Sequence, residues 1–306
     1  MQEHDHIDDH DRGLNHDLEV MATRTLARRK LLSLFAVGGT GALIAACGGG
    51  GSSSTGTTST ASTTTTTTTT GTTTTGTTTT TTGTTTTTSC VADPTETNGP
   101  YPSDGTNSVN GVVSNSLTTS GIVRSDIRSS FGSYSGTAEG VPLTLKIKVV
   151  NTNSSCANLS GYAVYIWHCT REGNYSLYTV TTQNYLRGVQ VTDSNGEVTF
   201  TTIFPGCYSG RWPHIHFEVF PSLASATTQR NATLTSQFAM PSDAATTVYN
   251  GATGYTASIN NLKSITIASD NVFGDNTSAQ ITAMTPTVTG SVSAGYAATV
   301  TVGIAV

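Results

Sequence analysis

The chain has 306 residues, of which 11% are charged, and a net charge of −5. No basic cluster occurs after the N-terminal region, so nucleic acid is not an expected partner. The length accommodates one domain with a sizeable core together with accessory segments.

Residues 1–20 carry His4, His6, His10 and His16 among many acids. They read as a solvated extension rather than a metal tract, and translation could start at Met1 or at Met21. Residues 27–47 run ARRKLLSLFAVGGTGALIAAC. The Arg28-Arg29 pair precedes an apolar stretch that is short and glycine-rich for a membrane span. The pair resembles a twin-arginine signal for export of folded proteins. LIAAC resembles a bacterial lipobox with Cys47 as the lipid acceptor. Residues 1–47 are therefore expected to be a targeting segment that anchors an exported protein to the cell envelope through lipid on Cys47. Residues 48–89 are almost entirely Gly, Ser and Thr. Such a composition forms no core and predicts a flexible tether, with an end-to-end span of roughly 35–40 Å.

Residues 90–306 carry strand signals. Pro142 to Val150 reads PLTLKIKVV, with Leu143, Leu145, Ile147 and Val149 on one face and Thr144, Lys146 and Lys148 on the other. Further strands are expected at Ala163–Cys169, Gly196–Phe204 and His214–Phe220, and a pair in residues 287–306. Asn184 to Arg187 is expected to be a loop, and Ser194-Asn195-Gly196 signals a hairpin turn. No window of 12 residues shows helical periodicity. The expectation is an all-β domain, a β-sandwich of mixed and antiparallel strands with long active-site loops. Cys90, Cys156, Cys169 and Cys207 remain after Cys47. In an exported chain they favour two disulfides, with three pairings open; free buried thiols are the alternative.

His214 and His216 sit at i and i+2 of a strand, so both rings share a face that Ile215 does not. Alone, this spacing fits a metal site or a pair of ordinary polar strand residues. The stretch PGCYSGRWPHIH, residues 205–216, adds Tyr208 and Arg211. Phenolate with imidazole suits trivalent iron better than zinc. Taken singly, Tyr175 reads as an aromatic at a turn, His168 as a satisfied core or pocket-wall histidine, Arg187 as a loop holder and Trp167 as core.

Several motifs occur in one order: Ile166-Trp167-His168, Gly173-Asn174-Tyr175, Arg187-Gly188, Thr192-Asp193 with Gly196 and Phe200, Thr202-Ile203, Pro205-Gly206-Cys207-Tyr208, and Arg211 to His216. Together they resemble the intradiol ring-cleavage dioxygenases, the family of protocatechuate 3,4-dioxygenase and catechol 1,2-dioxygenase. Asn98 to Pro102, Arg124 to Ile127 and Ser236 to Phe238 add to the likeness, which covers most of residues 90–240 and loosens after Met240. The resemblance implies one Fe(III) per chain held by Tyr175, Tyr208, His214 and His216. In it Tyr208 is the ligand that leaves when substrate binds, Arg211 stabilises negative charge and Gln237 lines the pocket. It implies a catechol-type substrate cleaved by O2 between its hydroxyl-bearing carbons to a cis,cis-muconate-type product. The chain departs from the pattern in showing no helical N-terminal region like that of the catechol enzymes and in placing Cys207 beside a ligand tyrosine. The competing reading is a non-catalytic surface lipoprotein that displays a binding module on the threonine stalk.

Overall fold

The alternation at Leu143 to Val149 does what its period dictates. All four apolar side chains are fully buried, while Thr144 and Lys146 lie exposed on the other face. The computed structural model describes residues 90–306. Its strands are β1 (Asp104–Val109), β2 (Val112–Asn115), β3 (Pro142–Asn151), β4 (Ala157–Asn158), β5 (Ala163–Trp167) and β6 (Arg187–Val191). They continue as β7 (Glu197–Ile203), β8 (His214–Phe220), β9 (Leu234–Ala239), β10 (Thr287–Ser291) and β11 (Gly295–Ile304). Helices α1 (Ser242–Gly251), α2 (Thr256–Lys263) and α3 (Ser278–Met284) fall between β9 and β10.

β3 is the axis of the first sheet. It pairs antiparallel with β7 and parallel with β11, which carries β10 on its far side, and the short β4 pairs with the end of β3. The second sheet runs β6-β5-β8-β9 and is antiparallel throughout. Between the sheets, Leu143, Leu145, Ile147 and Val149 belong to one core with Val164, Ile166, Ile215, Phe217 and Val219. At roughly 1.5–3 kcal/mol for each fully buried large apolar side chain, this layer dominates the stabilisation. The domain is thus the all-β, mixed sandwich that the sequence predicts.

The second sheet is buried on its other face as well. Ala163, Tyr165, Trp167 and Phe220 pack under a second cluster that includes Leu117, Ile122, Phe131, Tyr175 and Tyr178. Every residue of β5 and β8 is buried as a result. Residues 98–131, which include the β1–β2 pair, and the loop 170–186 supply this cover over the outer face of the second sheet.

Three local expectations are corrected, and three short helices that the sequence did not signal appear. The turn at Ser194-Asn195-Gly196 forms, with Gly196 at φ +74° and its N–H donating to Asp193 O at 3.0 Å. It does not close a hairpin within one sheet, because β6 pairs with β5 in the second sheet while β7 pairs with β3 in the first. Arg187 ends no loop; it opens β6, opposite Trp167. Only one disulfide forms among the described residues, Cys90–Cys156. Cys169 and Cys207 are free and buried. They pack into different apolar clusters, Cys169 on the outer face of the second sheet and Cys207 in the core between the sheets. Finally, the three helices are 7 to 10 residues long. A hydrophobic period needs about 11–18 residues to show itself, which is why these were not visible.

The signal, the lipid-acceptor Cys47 and the threonine tether lie outside the described residues.

Asp93 pairs the start of the described chain with the last strand. Its N–H donates to Gly303 O at 2.9 Å and its Oδ2 accepts from Gly303 N at 2.8 Å. Burial pushes its carboxyl up to about 7, partly offset by the Gly303 N–H. A raised carboxyl pKa favours folding in the protonated form, so stability at this site is full below the unfolded value near 3.8 and declines up to about 7. Asp93→Asn is expected to melt higher than the natural chain at pH 8 and to lose that advantage by pH 4. Thermal melts at the two pH values check this, and equal differences at both would exclude it.

Candidate active site and metal centre

Strand period places His214, His216 and Glu218 on the outer face of β8, under the loops. His214 Nε2 lies 3.0 Å from His216 Nε2 and 3.3 Å from each of the Tyr175 and Tyr208 phenol oxygens. These two tyrosines come from separate loops, one after β5 and one after β7, and meet at the same imidazole nitrogen. The four expected ligands are therefore brought together.

The donor chemistry fits a cation. His214 Nδ1 lies 2.5 Å from the Trp212 carbonyl, so it carries the ring proton and leaves the Nε2 lone pair facing the other three donors. The two imidazole nitrogens stand at hydrogen-bond distance, 3.0 Å, where a shared ion could take the place of a shared proton. With ligand bonds of about 2.0–2.2 Å, neighbouring donors around one ion stand about 3 Å apart. Burial, then the neighbouring Arg211 charge, holds His214 down to about 3. Burial and then His214 hold His216 well below its usual range, so both rings are neutral, as metal ligands are. Burial lifts Tyr175 well above 10, with Tyr208 adding to it. Burial likewise lifts Tyr208 to about 12, against a lowering by Arg211. A cation at the centre is what would ionise these phenols. No group of three His, Cys, Asp or Glu able to hold a metal occurs among the described residues, so the site depends on its tyrosines.

The surrounding contacts orient the donors. Trp167 stacks on His216 at 4.8 Å with an interplanar angle of 7°. Tyr101 packs on Tyr175 with ring centroids 5.0 Å apart. Gly99 has φ +72°, and a Cβ there would come 3.1 Å from His216 Cε1, so the Asn98 to Pro102 segment closes directly over the imidazole. Next along the strand, burial and then the neighbouring Asp104 push the Glu218 carboxyl well above its usual range.

Arg211 and Gln237 stand beside the donors. Arg211 is fully buried; its Nε donates to Asp270 Oδ2 at 3.0 Å and its Nη2 to Gln237 Oε1 at 2.7 Å. Its Nη1 has no hydrogen-bond partner. Gln237 sits opposite His216 in the β8–β9 register and anchors its own amide on Thr97 O at 2.9 Å. Asp270 also accepts the Trp212 N–H at 2.7 Å. The sequence reading did not find Asp270. Its other oxygen accepts from Val272 and Phe273 N–H groups, so the local sequence reads only as a turn.

The remaining candidates take structural roles. His168 contacts Cys169 O at 2.8 Å and Thr202 Oγ1 at 2.7 Å and stays in the core. Arg187 donates to the carbonyls of Tyr101, Pro102 and Ser176 and ties two covering loops together. Both accord with expectation. Trp167 is core and also forms the back wall of His216.

Residues 125–248 match the family model described as Dioxygenase, a stretch that holds Tyr175, Tyr208, Arg211, His214, His216 and Gln237. An intradiol ring-cleavage dioxygenase from Tetranychus urticae shares the fold at 22% identity and a TM-score of 0.50, over 71% of this chain and 95% of that one. The dioxygenase domain of a carbohydrate-binding fusion from Streptomyces sp. SirexAA-E is 22% identical, with a TM-score of 0.43 over 71% and 99%. A 3-chlorocatechol 1,2-dioxygenase from Rhodococcus opacus 1CP is 17% identical, with a TM-score of 0.40 over 69% and 72%. No curated protein matches the chain in sequence. The described domain is therefore a dioxygenase on the intradiol β-sandwich fold. Residues 125–248 thus resemble the dioxygenase family, on a fold shared with an intradiol ring-cleavage dioxygenase.

Proposed function

We propose that this dioxygenase binds one Fe(III) through Tyr175, Tyr208, His214 and His216. We further propose that it cleaves a catechol between its hydroxyl-bearing carbons to a cis,cis-muconate-type product. The observation that carries the reading is the convergence of two phenols and a second imidazole, that of His216, within 3.0–3.3 Å of His214 Nε2. When bound, ferric iron acts as a Lewis acid that acidifies the phenols and the substrate hydroxyls and makes the chelated ring reactive toward O2.

The chain's own residues divide the remaining work. Tyr208 is the half-buried phenol of the pair, and Tyr175 is the enclosed one. Tyr208 is therefore the ligand that gives way to substrate and accepts a proton on its phenol oxygen. Tyr175, packed against Tyr101, stays. Arg211 presents an Nη1 free of protein acceptors to the anionic oxygens that form during cleavage, and Asp270 and Gln237 hold its guanidinium in that orientation. The buried surroundings exclude water and strengthen these interactions.

The test is metal analysis of the purified chain after loading with ferric iron, with its visible spectrum and its turnover of a panel of catechols. About one iron per chain, a phenolate-to-iron colour and O2-dependent ring opening are expected. A colourless chain that takes up no iron would sink the reading and revive the surface binding module.

For location, we infer an envelope lipoprotein anchored through Cys47, exported folded through the Arg28-Arg29 signal and carried on the 48–89 tether. The support is the order of the three segments in the sequence; no helix among the described residues is long and apolar enough to cross a membrane. Cys47→Ser is expected to move the protein from the membrane to the soluble exported fraction, or to block its processing. Fractionation checks this, and a correctly processed Cys47→Ser chain still in the membrane would refute the anchor.

A further inference from the structure

The loop between β7 and β8 carries Tyr208 and Arg211. Side chains from residues 249–270, beyond the family-matched stretch, hold its backbone almost group by group. Tyr255 Oη donates to Phe204 O at 2.8 Å and Tyr249 Oη to Pro205 O at 3.0 Å. Cys207, the residue before Tyr208, is held at both of its backbone polar groups. Its N–H donates to Ser258 Oγ at 2.8 Å, and its carbonyl accepts from Asn261 Nδ2 at 2.8 Å. Asp270 takes the Trp212 N–H at the loop's far end.

Ser258 and Asn261 are three residues apart on α2 and so project on one face of the helix. Ser258 is fully buried. From the other side the loop is blocked by Gly173, at φ +90°, where a Cβ would stand 3.1 Å from Tyr208 Cβ. The backbone at Cys207–Tyr208 thus has helix α2 behind it and the Thr170–Asn174 turn in front.

We propose that Ser258 and Asn261 are positioning residues for Tyr208. By fixing both backbone groups of Cys207, they confine the exchange of Tyr208 for substrate to rotation of its side chain. The phenol can then leave and return without the loop following it. The Arg211 guanidinium, four residues beyond Cys207, keeps its place while this happens. This rests on the proposed role of Tyr208 as the displaceable phenolate.

The experiment compares the full chain with Ser258→Ala and Asn261→Asp, each loaded with ferric iron. Asn261→Asp keeps the shape of the side chain but replaces the amide donor with a carboxylate oxygen and adds a negative charge, a charge change that the control below shares. The readouts are iron per chain, the visible phenolate band, the spectral change on adding catechol, kcat, KM and Tm. Iron content should stay near that of the natural chain, since three ligands are untouched. The band should shift, and kcat should fall about tenfold to a hundredfold with a smaller change in KM, the scale of a misplaced reacting group. Asn250→Asp is the control. Its exposed amide donates to Thr246 O within α1 rather than to the loop. It should leave every readout unchanged.

A lowered Tm in both variants, with the natural band and the natural kcat, would overturn the proposal. So would loss of iron in proportion to activity, with the natural band in the loaded remainder. A natural chain that takes up no iron would overturn the metal reading itself, a result decided on that chain alone.

Discussion

Tyr208→Phe is expected to keep most of its iron and still bind catechol, yet lose turnover by roughly 10²–10⁴-fold, the usual range for a lost proton acceptor. Tyr175→Phe should instead weaken iron binding. The asymmetry follows from the site. Both phenols lie 3.3 Å from His214 Nε2, so a purely structural metal centre would respond alike to losing either. Their surroundings differ. Tyr175 is enclosed, with Tyr101 packed at 5.0 Å and the ring of Tyr208 against it at 5.9 Å. Tyr208 is half-buried and sits nearer the surface. On the proposed mechanism Tyr208, the less enclosed of the two, gives way to substrate, and the charge of Tyr175 is the one that remains. Iron content, catechol-induced spectral change and turnover of the two variants side by side decide the matter. Equal iron loss in both would mean that the roles are not distinct, and full activity in Tyr208→Phe would mean that this phenol is not the one displaced.

Asp270→Ala should be among the most destabilising single changes in the domain, at about 3–5 kcal/mol. Arg211 and Asp270 form a 3.0 Å ion pair in which neither side chain is exposed. Removing the carboxylate leaves a buried guanidinium charge without compensation. It also strips acceptors from three backbone N–H groups, those of Trp212, Val272 and Phe273. For a domain of this size the loss corresponds to a drop in Tm of the order of 10 °C. Burial alone would raise the Asp270 carboxyl, but Arg211 and the Trp212 N–H together hold it below its usual value. A depressed carboxyl contributes stability above its unfolded value and loses it as pH falls through the folded one. The gap between natural and Asp270→Ala chains should therefore narrow only in strong acid, below about pH 4. Thermal melts at pH 7 and pH 3 measure both parts. A difference under 1 kcal/mol at pH 7 would show that Arg211 finds another acceptor.

The candidate ligand set was named through the family resemblance, whose motifs are local. Strand period alone puts His214 and His216 on one face and Ile215 in the core between the sheets. The motifs around Tyr175 and Tyr208 each sit within a few residues of a turn. Gln237 was found through its segment, and the β8–β9 register then explains why it faces His216. Ser258 and Asn261 carried no such signal. Each is an ordinary residue of an eight-residue helix whose importance lies in the carbonyl and N–H of a residue more than fifty positions earlier.

By itself the sequence determined the layered β architecture and the faces of its regular strands, and its motifs pointed to four candidate donors. These follow from side-chain alternation and residue type, which depend on a few neighbouring positions. Only the tertiary structure decided that the functional face is the outer face of the second sheet. It also decided that Arg211 is neutralised by Asp270, and that Cys90 pairs with Cys156 while Cys169 and Cys207 stay free. Each of these depends on which distant segments the chain brings into contact, and packing of the whole domain sets that rather than any local pattern.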